Sequence, residues 1–151
     1  MRLNAVGKLV RAWPRSAAAL AFGVPTAVLI HFSWYPDARM SGIAPALSVG
    51  AGVAHALAAT LTGARLVHST RGPMLRSAPL LGALTSLIAL ALFAAAFTAY
   101  IAVTEPSQNT PLGYALLGVY TGFFAFLAAG WALLLLSMGV GWALNRIASF
   151  A

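Results

Sequence analysis

The chain has 151 residues, of which 61% are apolar and only 7% charged. Soluble domains carry roughly 25% charged residues, so this sequence is too poor in charge to cover a water-facing surface. The net charge of +7 is scattered in short segments between long apolar runs, which excludes the continuous basic surface that nucleic acid needs. The absence of cysteine excludes disulfides, thiolate metal sites and thiol catalysis.

At roughly 20 residues per crossing, the length suits about four membrane spans. Residues 1–15 come first. Leu3, Val6, Leu9, Val10 and Trp13 recur at spacings of three and four, with Arg2, Lys8 and Arg11 between them. An apolar stripe beside basic residues predicts a short amphipathic helix over residues 2–13, lying in the headgroup layer. Pro14 ends it, because proline lacks a backbone donor and restricts the residue before it. The apolar stretch that follows is longer than a signal-peptide core of roughly 7–15 residues. Its Ala17-Ala18-Ala19 run lies at the wrong end for cleavage, so it is expected to be a retained span.

The first span is predicted over 16–35, closed by Trp34 and Tyr35 as an aromatic interface belt. Gly23 and Pro25 inside it permit a kink without ending it. A short turn at Pro36–Ser41 leads to the second span over 42–63, so the two form an antiparallel hairpin. Arg65 ends that span and opens a basic segment containing His68, Arg71 and Arg76. The third span is predicted over 79–103 and a polar loop over Thr104–Pro111. The fourth is predicted over 112–142, with apolar character continuing to about Leu144 and Arg146 as its anchor. A stretch so much longer than the bilayer core must tilt or project beyond it. The two halves show no internal repeat.

Orientation follows from the basic residues. One side would hold Arg2, Lys8, Arg11, Arg15, Arg65, Arg71, Arg76 and Arg146, and the other only Arg39. Positive residues accumulate on the cytoplasmic side. The expected fold is therefore an all-α four-transmembrane-helix bundle with both termini cytoplasmic, in a bacterial inner membrane.

Rows of small residues let helix backbones approach in lipid. Such rows are Ser48, Gly52, Ala56 and Thr60, a neighbouring row Gly50, Ala54, Ala58 and Thr62, then Ala91, Ala95 and Ala99, and Gly118-x-x-x-Gly122. Gly52, Ala56, Gly118 and Gly122 are the candidate packing positions. They would serve either a partner interface or packing within the bundle, and the abundance of Ala and Gly favours the second.

No Asp, Glu, Lys or Arg falls within a predicted span, which weakens the case for an ion-coupled carrier. His55 is the most informative residue, near mid-membrane with Ser48, Gly52, Ala59 and Thr62 on its face. It would point into the bundle, to ligate haem or metal, relay a proton, or hydrogen-bond a hydroxyl on another span. The last use is favoured, because a single histidine without a matched partner is weak evidence for a site. His31 is the obvious partner to test, completing a candidate polar site of His55, Ser48, Thr62 and His31. Its depth differs from that of His55 by about 12 Å at the helical rise, which disfavours a shared haem. Asp37 and Glu105, the only carboxylates, fall in the two outer loops, and solvation or pairing with Arg39 is favoured over acid–base work. No hydrolase, phosphate-binding or zinc-protease motif occurs.

These observations predict a non-catalytic protein without a cofactor, whose partners are the lipid bilayer and another membrane protein or a second copy. An accessory, assembly or regulatory subunit of a larger membrane complex is the leading expectation. The alternative is a small oligomeric channel or transporter, with Ser48, His55, Thr62, Thr85, Ser86 and Thr121 as lining candidates; a haem-binding electron carrier comes third.

Overall fold

A computed structural model describes residues 2–34, 44–68, 78–104 and 110–150. The expected loop at Pro36–Ser41, most of the basic segment after His68, residues 105–109, and with them Tyr35, Asp37, Arg39, Arg71, Arg76 and Glu105, lie outside the described residues. What is described is helical, without strands. The helices are α1 (Arg2–Ala12), α2 (Pro14–Trp34), α3 (Ala44–His68), α4 (Ala78–Thr104), α5 (Pro111–Ala125) and α6 (Trp131–Ser149), the last two joined by a π-helical turn at Phe126–Gly130. Four helical stretches are long and apolar enough to cross a membrane, the last running through α5, the π turn and α6 as one 39-residue helix. This is a multi-pass membrane protein.

Proline punctuates the chain where a missing N–H costs least. Pro14, Pro45, Pro79 and Pro111 sit in the first turns of α2 to α5, where backbone donors have no intrahelical partner in any case. At α5 the Thr110 hydroxyl caps the end by accepting from the Gly113 amide at 3.2 Å. Between α1 and α2 the ladder continues on both sides of Pro14, through Trp13 N to Leu9 O and Ala17 N to Trp13 O. The break there is a bend, not a linker.

Two helices run past their expected ends. Helix α3 continues beyond Gly63 to His68, because Leu66 and Val67 are fully buried and hold the extra turn against the bundle. Arg65 leaves this turn pointing outward. Helix α6 continues beyond residue 142 to Ser149, since Leu144, Asn145 and Ala148 are also buried. At 1.5 Å per residue the α5–α6 stretch spans about 58 Å, against a hydrocarbon thickness of about 30 Å.

The closest helix contacts are made by glycine. Gly23 of α2 and Gly52 of α3 face each other, and a Cβ on either would stand 3.0 Å from the other's carbonyl oxygen. Ala56 and Ala27 flank this contact, and Gly63 meets Ala18 one level further on. Gly82 of α4 and Gly141 of α6 form a second crossing, where a Cβ on Gly82 would overlap the Ser137 carbonyl and one on Gly141 would lie 2.6 Å from the Ala78 carbonyl. In lipid the driving force for association is packing itself, so such approaches hold the pairs together. On α5 a Cβ on Gly118 would stand 3.0 Å from the Thr98 hydroxyl of α4, a side-chain atom, and one on Gly122 at an ordinary 3.6 Å from the Ala94 Cβ.

Helix α1 packs back on the bundle. Val10 joins a buried cluster with Ala18, Phe22, Leu66, Leu144 and Ala148, and the Arg11 guanidinium donates to the Ala148 carbonyl at 2.8 Å. A cation on a late carbonyl of α6 satisfies a group that the helix end leaves unpaired. The apolar stripe of α1 is thereby divided: Val10 turns inward, whereas Val6, Leu9 and Trp13 remain exposed.

Candidate functional site

Eight polar side chains are buried among the described residues: Thr26, Ser48, His55, Thr62, Thr85, Ser86, Ser137 and Asn145. Polar groups in lipid must find partners inside the bundle, and most of these form cross-helix bonds. His55 of α3 meets Ser86 of α4 at 2.9 Å and Ser137 of α6 at 3.3 Å, both through Nε2. The two serine hydroxyls are 2.6 Å apart, and Ser86 also donates to the Leu133 carbonyl at 3.0 Å. On α4 the adjacent Thr85 bonds Thr62 of α3 at 2.8 Å. At the end of the bundle the Asn145 amide donates to the Leu66 carbonyl at 2.9 Å. Three spans are thus tied together by a polar ladder between α3 on one side and α4 and α6 on the other.

Each serine has one proton, and the Ser86 hydroxyl has three partners, so the tautomer of His55 follows from how the two hydroxyls are turned. The other ring nitrogen, Nδ1, has no partner among the described residues. On its face the imidazole lies nearly parallel to Phe22 of α2, with ring centroids 6.3 Å apart and planes 12° from parallel.

His55 and Ser86 also border a cavity of about 490 Å³. Its walls are mostly apolar, with Leu47 and Ala51 on α3, Phe93 and Phe97 on α4, Thr121 on α5 and Phe126 in the π turn. Helix α5 creates the space: none of its residues is buried, and its helix neighbour is α4. The π turn lies where α5 gives way to α6, and Ala129 and Gly130 in it are buried. A π turn inserts a residue into the helical register, so the face α6 turns inward is offset from the row on α5. The exposed Leu87 and Phe124 also line the cavity, which therefore opens sideways onto the lipid-facing surface.

The four residues of the expected polar site are not gathered at one place. His55 bonds the serines, whereas Thr62 bonds Thr85. Ser48 is buried seven residues before His55 on α3, about 10 Å away along the axis. His31 is half-buried near the other end of α2, edge-on to the Phe32 ring, and is not among the side chains bonded to His55. Ser86 and Thr121 border the cavity as lining residues. Ser137, Asn145 and Phe22 escaped notice in the sequence, although a lone serine in the run Leu133–Val140 was a usable signal. No group of three or more His, Cys, Asp or Glu side chains comes together among the described residues. No protein-family model, curated protein or solved structure matches the chain.

Proposed function

We propose that this chain is a non-catalytic inner-membrane subunit, an accessory, assembly or regulatory component of a larger membrane complex, with both termini in the cytoplasm. The observation that carries this reading is α5. Its entire length lacks a buried residue, while Leu112, Leu116, Val119, Tyr120 and Phe123 are exposed along it. A half-span held by one neighbouring helix forgoes most of the packing that drives association in lipid, and a second membrane protein laid against α5 supplies it. The buried hydroxyls of Thr62, Thr85, Ser86 and Ser137 bond one another or backbone carbonyls, which supports a role in holding spans together over a solute path.

The orientation rests on charge. Lys8, Arg11, Arg15, Arg65 and Arg146 are all exposed at the end of the bundle where the chain termini meet, as cytoplasmic residues would be. The exposed Val6, Leu9 and Trp13 suit α1 to the headgroup layer beside them.

Photo-crosslinking in native membranes tests the subunit reading. A photoreactive residue at Leu116 or Val119 is expected to give a discrete protein adduct, whereas one at Leu57 on the exposed side of α3 is not. Absence of any protein adduct along α5 overturns the proposal, and an adduct of twice the chain's own mass makes the partner a second copy. Cysteine labelling tests orientation against a background without native cysteine. Ser107→Cys should react with an impermeant maleimide in intact cells and Ser69→Cys only after lysis; the reverse pattern inverts the topology.

A further inference from the structure

We propose that the end of the bundle where the chain termini meet is a docking surface for anionic phospholipid, whose phosphate neutralises the cations gathered around α1. This surface stands whether or not the subunit reading holds, and whichever side of the membrane it faces.

Charge is the first observation. Lys8, Arg11, Arg15, Arg65 and Arg146 are exposed and come from four helices. Close contacts bring those helices together at this end. A Cβ on Gly63 would lie 3.3 Å from the Arg15 Cα, the Asn145 amide of α6 reaches the Leu66 carbonyl of α3 at 2.9 Å, and Arg11 donates to the Ala148 carbonyl. The sequence has only two acidic side chains, Asp37 and Glu105. They come after α2 and α4 in the chain, and both helices begin at this end and run away from it for 21 and 27 residues. No acidic side chain of this sequence is therefore placed to neutralise the five cations.

Depth is the second observation. Val6, Leu9 and Trp13 stand exposed on α1 beside these cations, and a tryptophan with apolar neighbours and a basic face belongs at the level of the headgroups. Val10 in the buried cluster and the Arg11 bond hold α1 against the bundle, so its cations keep their places before any lipid arrives. At the end of α6 the Arg146 guanidinium lies over the exposed Phe150 ring, 5.6 Å from its centroid, which repeats the pairing of a cation with an apolar surface group.

An anionic phospholipid answers both halves of this surface. Its phosphate accepts from ammonium and guanidinium groups, the latter in bidentate fashion, and its acyl chains cover the apolar side chains beneath. A zwitterionic lipid carries its own cation beside the phosphate. An acidic protein segment would pair with the cations but leave Val6, Leu9 and Trp13 uncovered. Each basic residue near an anionic membrane surface favours the contact by about fivefold, so the preference is large enough to read and to remove.

The test reads lipid contact at α1 from Trp13, in the full chain carrying Trp34→Phe, Trp131→Phe and Trp142→Phe. The protein is reconstituted in phosphatidylcholine vesicles with a minor fraction of either phosphatidylglycerol or phosphatidylcholine brominated high on its acyl chains, since bromine quenches only a tryptophan that it touches. The relative affinity read from quenching is expected to favour phosphatidylglycerol at least about fivefold in low salt. It should fall toward equality in molar salt, where charges are felt over only about 3 Å. A second protein that retains only Trp131 is the location control. That residue is exposed but lies about 22 Å along α6 from Arg146, and should show no preference. Lys8→Gln, Arg15→Gln and Arg146→Gln together should bring Trp13 to equality; Arg11 is left in place because it bonds α6. The charge-conserving set Lys8→Arg, Arg15→Lys and Arg146→Lys should keep the preference, which separates lost charge from a misfolded end. Equal quenching by the two lipids in the protein with its native cations overturns the proposal. A preference that persists in molar salt or in the Gln set overturns the assignment to these cations. An equal preference at Trp131 overturns the location, and loss of preference in the charge-conserving set overturns charge as its cause.

Discussion

The end of the bundle that carries the termini and the opposite end obey different rules, although both are built from the same few residue types. At the terminal end α2, α3, α4 and α6 meet through glycine contacts, and α1 is pinned to α6 by Arg11. Polar groups there bond across helices. Beyond the level of His55, α5 rests on α4 and the cavity opens beside it. Apolar content does not distinguish the two ends, since lipid tails are as apolar as leucine. What separates them is where small residues and hydroxyls coincide on facing helices. His55 sits at the junction of the two.

The comparison breaks most severely at Gly82. Its neighbours across the crossing are backbone atoms of Ser137 and Met138, which cannot swing aside as a side chain would. Gly82→Ala should destabilise the fold by about 3 kcal/mol, at the upper end for overpacking, read by SDS-titrated unfolding from mild detergent. A loss under half of that would show that α4 and α6 can separate without harm, and the closed end would lose its defining contact.

Next in size is the serine pair. Among the described residues Ser86 bonds His55, Ser137 and the Leu133 carbonyl, whereas Ser137 bonds His55 and Ser86, the former more weakly at 3.3 Å. Hydrogen bonds within membrane bundles average about 0.6 kcal/mol with a maximum of about 1.7. Ser86→Ala should therefore cost about 1.5 kcal/mol and Ser137→Ala about half of that, by the same unfolding assay. The double variant should fall short of the sum, because the two hydroxyls share a bond. Strict additivity would mean that the network is a set of independent contacts.

How far these features could be read from the sequence differs between the two ends for physical reasons. Four crossings were legible because long apolar runs separated by charged segments have no alternative in water. The small-residue row at Gly52 and Ala56 was visible, but its use against Gly23 and Ala27 of α2 was not, since a row of small residues does not encode its partner. His55 stood out as a lone imidazole on a small face. Its bonds to Ser86 and Ser137 depend on the rotation of α4 and α6, which apolar periodicity cannot specify in helices that face lipid on one side and packing on the other. Helices α3 and α6 run on past the expected span ends, because buried Leu66, Val67 and Ala148 carry them beyond the charges at Arg65 and Arg146. The π turn was illegible: Phe126–Gly130 is an unremarkable apolar string, and its extra residue arises from packing.

Thr26 sharpens the comparison from α2, one turn beyond the Phe22 that stacks on His55. Its hydroxyl is buried and has no partner among the described residues, unlike the other buried hydroxyls whose bonds are described above. Valine has the same shape without the polar atom, so Thr26→Val should stabilise the protein by about 1 kcal/mol, the lower part of the range for an unsatisfied buried group. A loss of stability would reveal a bond made by this hydroxyl in the membrane, and would extend the polar ladder to α2.

The smallest effect is expected where the open end imitates the closed one. Gly122 belongs to the Gly118-x-x-x-Gly122 pattern on α5, which by sequence resembles a tight helix-packing motif. Its imagined Cβ, however, stands at an ordinary 3.6 Å from the Ala94 Cβ, against 2.7 Å between the same construction at Gly63 and Ala18. Gly122→Ala should change stability by no more than about 0.5 kcal/mol, within the range of unremarkable substitutions. Gly63→Ala should cost about 2 kcal/mol, because Pro14 and Arg15 backbone atoms stand 3.0 and 3.3 Å behind the clash. The pair isolates geometry from motif, since both replace a helical glycine by alanine in a membrane span. Equal losses would mean that α5 packs as tightly as α2 against its neighbour. A loss at Gly122 only in native membranes, absent in detergent, would instead place a partner's backbone against α5, where the subunit reading requires one.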